Sequence, residues 1–136
     1  MSTSKRPKII VIVGQTATGK SALAVRLAKN VGGEVISADS RQVYRGLDIG
    51  TGKITKREMR DVPHHIIDVA FPRRQYSAAL FVRDATKTIR YIVRNGKVPI
   101  ICGGTGFYID ALLGNIQLPH VPPNPKLRKQ LARKTP

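Results

Sequence analysis

Eight residues near the start of the chain have the types and spacing that hold phosphate: Gly14, Gln15, Thr16, Ala17, Thr18, Gly19, Lys20 and Ser21. Glycine at the first and sixth positions lets backbone N–H groups close around phosphate oxygens. The lysine then reaches terminal oxygens, and the last hydroxyl suits a magnesium ion. A β-branched run (residues 8–13) precedes this loop, and a helical pattern follows it over residues 20–31. The anion would therefore sit at a helix N-terminus. Flanking elements of the right kind on both sides argue against a glycine-rich turn that holds nothing.

Asp39 is the second residue that could do chemistry. It directly follows a short strand pattern at 34–38, which places it at the carboxyl end of a sheet beside the phosphate loop. Ligands of open α/β sheets bind in that crevice, and a carboxylate there can act as a general base. The plainer alternative is a turn aspartate, since Asp39-Ser40 is a common turn pair. Nucleotide hydrolysis by such a loop needs an acid at the end of a hydrophobic strand. The best strand for it, residues 98–102, runs instead into Gly103-Gly104-Thr105. Asp68, inside a strand pattern at 65–69, could serve in part. Hydrolysis is weakened by this gap, whereas a small-molecule kinase is not excluded. His64 and His65 lack a third ligand cluster and read as local structure, not as a metal site.

The elements that position these residues alternate. Residues 8–13 read as a central parallel strand, and 20–31 as a helix carrying Leu23, Leu27 and Val31 and closed by Gly32-Gly33. Strands follow at 34–38, 65–69 and 98–102. Residues 40–63 are irregular, with a helical turn near 56–60. A long helix covers 77–94, with Leu80, Phe81, Ala85, Ile89 and Ile92 on one face, and a short helix covers 105–113. The pattern predicts an α/β fold: a P-loop NTPase-like parallel sheet flanked by helices. Four strands can be placed where such sheets have about five, so the sheet is expected to be incomplete. Residues 1–118 form the core portion, and 119–136 a proline-rich, basic segment leading toward further chain.

The 136 residues carry 24 lysines and arginines against 8 acids, a formal charge of +16. Such a field attracts polyanions, nucleic acid above all. The densest basic patch is Lys126, Arg128, Lys129, Arg133 and Lys134; it suits a phosphate backbone or a solvated helix face. No apolar run approaches the roughly 20 residues that span a bilayer. The single Cys102 reads as a small buried residue and fits a reducing, cytoplasmic setting.

Five blocks, in order, resemble the tRNA dimethylallyltransferases, also called tRNA isopentenyltransferases. They are the loop at 14–21, the run from Ser37 through Asp39-Ser40-Arg41-Gln42 to Tyr44, residues 46–51, Pro63-His64-His65, and Gly103-Gly104-Thr105-Gly106-Phe107-Tyr108. The loop alone is shared by many families; the blocks around Asp39 and Thr105 are not. Gln15 stands where the family often has proline, and Ser21 where threonine is common, and neither change removes a needed group. The resemblance implies transfer of a dimethylallyl group from its diphosphate to N6 of adenosine 37, in tRNAs reading codons that start with U. Residues 14–21 would then bind the diphosphate or a nucleotide. Lys20, Thr16, Thr18 and Ser21 would stabilise the departing diphosphate with Mg2+, held by Ser21, and Asp39 would accept the proton. Asp39, Ser40, Arg41, Gln42, Thr105 and Arg128 would contact the tRNA anticodon stem-loop, whose target base must leave its stack. Thr105 also fits a helix N-cap, and Tyr44 and Tyr108 fit either pocket walls or core. Family enzymes are much longer, so the chain reads as an N-terminal part of a protein expected to be a monomer at full length. Two alternatives stay open: an adenylate isopentenyltransferase, which prenylates free AMP, ADP or ATP, and a small-molecule kinase.

Overall fold

The computed structural model describes residues 6–15, 18–47, 52–118 and 124–134. Four parallel strands form one sheet: β1 (Ile10–Val13), β2 (Gly33–Ser37), β3 (His64–His65) and β4 (Val98–Gly103). Their order is β1-β4-β2-β3. The helices are α1 (Lys20–Val31), α2 (Lys56–Met59), α3 (Ala78–Arg94), α4 (Gly106–Leu113) and α5 (Pro125–Ala132). The parallel α/β architecture expected from the alternating pattern is present.

Strand β4 is the sheet's centre. It pairs Ile10 with Ile100 through Val13 with Gly103 on one side, and Gly33 with Val98 through Ser37 with Cys102 on the other. Successive side chains of a strand face opposite ways, so the sheet splits its apolar residues between two cores. Val35, Ile100 and Cys102 pack with Ala24, Val25 and Ala28 of α1, and Ile36 and Ile101 pack with Phe81, Ala85 and Ile92 of α3 and Ile109 of α4. Small residues form the buried stripe of α1 and let the helix lie close on the sheet. Leu23 and Val31, by contrast, are 41% and 43% exposed.

Among the described residues β1 pairs with β4 alone, and Val13 is exposed. One sequence expectation is corrected. The third strand is two residues long instead of 65–69. After His65 the chain leaves β2, with Ile66 and Asp68 at φ of 62° and 58°, and Asp68 and Val69 donate N–H bonds to the carbonyls of Gln42 and Val43. Asp68 is therefore a turn residue.

Tyr44 and Tyr108 resolve toward packing. Tyr108 stacks on Phe81 at 4.6 Å between centroids, and its hydroxyl donates to the Tyr76 carbonyl. The Tyr44 hydroxyl accepts from the Tyr76 N–H. Burial raises the pKa of the Tyr108 phenol, with Tyr44 and Asp39 adding to the effect.

Candidate active site at the carboxyl edge of the sheet

Because all strands run the same way, the segments after β1, β2 and β4 meet at one edge. There the sheet, α1 and α2 enclose a cavity of about 690 Å³. Gly19, Lys20, Ser21, Asp39, Gln42, Gly103 and Gly104 line it together. The structure thus brings the phosphate loop and the Asp39 segment to one space.

On the loop side, Gly19 at φ 83° turns the chain into α1, a conformation that side chains disfavour. Helix α1 has no side-chain cap and no acid in its first turn. Its leading N–H groups and positive dipole end are therefore open to an anion. Lys20 Nζ donates to the Gln15 carbonyl at 2.6 Å, and Thr18 Oγ1 donates to the same oxygen at 2.7 Å. Gly14 sits behind them, in contact range of the Thr18 and Lys20 side chains. Thr16 and Ala17 lie outside the described residues.

On the other side, Asp39 Oδ1 accepts from the N–H groups of Arg41 at 2.8 Å and Gln42 at 3.2 Å. This is the turn geometry that its sequence allowed. It occupies one carboxylate oxygen, and among the described residues Oδ2 has no hydrogen-bond partner. The turn is tied to β4 and α4: Ala38 N donates to the Cys102 carbonyl, Thr105 N to the Ala38 carbonyl, and Ser40 N to Thr105 Oγ1 at 2.9 Å. Thr105 occupies the N-cap position of α4 but makes no side-chain cap; its hydroxyl is spent on Ser40. The approach is so close that a Cβ on Gly103 would lie 2.1 Å from the Ala38 carbonyl oxygen. Arg41 is exposed and Gln42 half-buried.

Arg128 is not part of this cavity. It lies on the exposed helix α5 and donates to Gln75 Oε1 at 2.6 Å. Asp68 is not available as a metal-holding acid either, since its carboxylate pairs with the Lys53 ammonium. No carboxylate follows β4, where Gly103 and Gly104 line the cavity. The two histidines point to separate partners, His64 Nδ1 to the Val62 carbonyl and His65 Nε2 to Glu34. Among the described residues no three His, Cys, Asp or Glu side chains cluster as a metal site.

Sequence reasoning missed Arg26, Arg60, Glu58 and His64 in the lining. Arg26 carries a signal, for Gly19, Ala22 and Arg26 recur at helical spacing on one face. Glu58 and Arg60 come from the irregular segment and carry none, and for His64 the only function weighed is metal ligation. Glu58 is committed locally: its carboxylate accepts from Thr55 N while Thr55 Oγ1 accepts from Glu58 N, a capping box. Burial lowers the pKa of His64, against the Val62 bond and with help from His65. Burial raises that of the Cys102 thiol, partly offset by nearby Lys20.

A glycine-rich loop opening a helix, on a parallel sheet with a cavity at its carboxyl edge, defines the P-loop class of phosphate-binding proteins. Within that class the IPP transferase family model matches residues 42–136, and an isopentenyl transferase model matches residues 7–71. The chain belongs to the IPP transferase family. It is 53% identical over 128 residues to a tRNA dimethylallyltransferase of Thermomicrobium roseum, covering 94% of this chain and 39% of that protein. The full-length tRNA isopentenylpyrophosphate transferase of Bacillus halodurans superposes with a TM-score of 0.82 at 45% identity, over 94% of this chain and 42% of that one. A eukaryotic dimethylallyltransferase acting on tRNA gives a TM-score of 0.81 at 36% identity, over 93% and 31%. The chain spans about two fifths of the length of the curated relatives it matches.

Proposed function

We propose that this chain forms the diphosphate-binding and proton-accepting part of a tRNA dimethylallyltransferase. In this reading the amine N6 of adenosine 37, in tRNAs reading codons that start with U, attacks C1 of dimethylallyl diphosphate. The C1–oxygen bond breaks, its electron pair leaves with the diphosphate, and the proton lost from N6 passes to Asp39. The observation that carries the reading is the single cavity lined by Lys20 and Ser21 at one side and by Asp39 and Gln42 at the other.

Each residue's role follows from its placement. Lys20 and the open N–H groups of α1 would take the oxygens of the leaving group, with Thr18 and the loop residues 14–17 shaping the cradle. Arg26 and Arg60 add positive charge to the same walls. Asp39 Oδ2 is free to accept a proton because Oδ1 alone holds the turn. Gln42, Ser40, Arg41 and Thr105 would hold the extruded base and its neighbours. Arg128 would contact tRNA outside the cavity. The Ser21 hydroxyl, a hard oxygen donor in the lining, fits an Mg2+ that would keep most of its ligands from phosphate and water. Such an ion would neutralise diphosphate charge. A hydrolase is disfavoured by the glycines that follow β4.

The test is an incubation with radiolabelled dimethylallyl diphosphate, using this chain and the longest polypeptide that its gene encodes. The acceptors are unmodified tRNA and free AMP. Label on N6 of adenosine 37 is expected. Label in AMP alone would assign the adenylate reaction, and ATP consumption without prenyl transfer a kinase.

A further inference from the structure

We propose that the outer face of α3 is a second RNA-binding surface, which takes a stretch of phosphate backbone beyond the cavity. The inference rests on the reading that the acceptor is RNA. Arg83, Lys87, Arg90 and Arg94 recur at spacings of four, three and four residues, so they form one stripe on the helix. All four are exposed. The stripe is about 16 Å long at 1.5 Å per residue, enough to follow several successive phosphates.

The stripe's charge is compensated only at Arg83. Asp84 accepts from the Tyr76 hydroxyl at 2.6 Å and pairs with Arg83 at 3.1 Å, and Glu34, beyond the groove, is bonded to His65. Among the described residues Lys87, Arg90 and Arg94 meet no carboxylate. An aromatic ring lies among these cations. Tyr91 is 58% exposed, stands edge-on to His65 at 6.2 Å, and borders a shallow groove with His65, Lys87 and Thr88. A cationic track with an exposed ring suits a polynucleotide, whose phosphates pair with the cations while a base stacks on the aromatic face.

Helix α3 covers the face of the sheet opposite α1 and the cavity, and meets the cavity only at the carboxyl edge. Helix α3 leaves the sheet after β3 and returns before the parallel strand β4. It therefore runs from the carboxyl edge, where the cavity opens, back toward the amino edge. RNA whose target base sits at Asp39 would have to pass over the carboxyl edge to reach this helix on the opposite face. A membrane surface fits less well, because the apolar side of α3, with Phe81, Ala85 and Ile92, is already buried in the core and offers nothing to insert among lipids.

The experiment measures binding of an unmodified tRNA transcript to the chain as a function of salt. The variant Lys87→Gln/Arg90→Gln/Arg94→Gln should lower the slope of log K against log salt by about 2 to 3, since each lost phosphate contact removes about 0.7 to 0.9. Tyr91→Ala should weaken binding about tenfold with the slope kept. Arg90→Lys/Arg94→Lys should retain the slope, which separates charge from misfolding. An unchanged slope in the triple variant overturns the proposal, as does wild-type binding to phosphatidylserine vesicles without binding to tRNA. The two readings fail separately. Labelled tRNA with an unchanged slope removes only the α3 face, whereas a lowered slope with label in AMP removes only the tRNA acceptor.

Discussion

On the phosphate-loop side of the cavity, Lys20 and Thr18 both turn onto one carbonyl, that of Gln15, and α1 starts without a side-chain cap. On the Asp39 side, the turn is cross-linked to β4 and α4 by Ala38, Ser40 and Thr105, over a glycine with no room for a methyl. The first region satisfies its donors locally, and in the proposed reaction it would exchange those bonds for phosphate oxygens. The second is cross-linked within the fold itself. The difference follows from the chemistry: a flexible, highly charged leaving group can organise its own site, whereas a general base must already stand within reach of its proton.

Substitutions on the two sides should separate binding from proton transfer. Asp39→Asn is expected to lower transfer by about 10² to 10⁴ with the fold kept, because asparagine can hold the same turn; single-turnover label transfer measures this. Lys20→Ala should cost about 10² to 10³ in transfer and should also weaken the diphosphate complex. Gly103→Ala tests the rigid side: the methyl must displace the Ala38 carbonyl, and urea unfolding should show a loss of about 1 to 3 kcal/mol. Thr105→Val leaves the Ser40 N–H without its partner and should cost about 1 kcal/mol, while Thr105→Ser should cost less.

The smallest expected effect is on pH. Burial holds the pKa of His64 below its ordinary value of 6.5. As pH falls through about 6.5 the unfolded chain takes up this proton before the folded one. The contribution is thus fully favourable to folding above that range and declines below it. Denaturant titrations between pH 7 and 5 should show stability falling, less so in His64→Gln.

Much of this was legible in the sequence because local chemistry carried it. The loop from Gly14 to Ser21 needed only its residue types and the strand and helix beside it. Asp39 needed only the end of β2. The long helix α3 and its buried face of Phe81, Ala85 and Ile92 followed from helical spacing. What failed depended on partners distant in the chain. The strand expected at 65–69 stops early because residues 68–70 bond to 42 and 43. The hydroxyl of Thr105 fits an N-cap by local rules, and only the fold brings Ser40 to it.

The central claim, that the two sides divide ligand binding and proton transfer between them, is tested most directly by calorimetry. A non-reactive thio analogue of dimethylallyl diphosphate is titrated with Mg2+ into the wild type, Lys20→Ala and Asp39→Asn. The analogue is expected to bind the wild type and Asp39→Asn alike, to be displaced by diphosphate, and to bind Lys20→Ala far more weakly. Equal binding to Lys20→Ala, or loss of binding in Asp39→Asn, would contradict the claim.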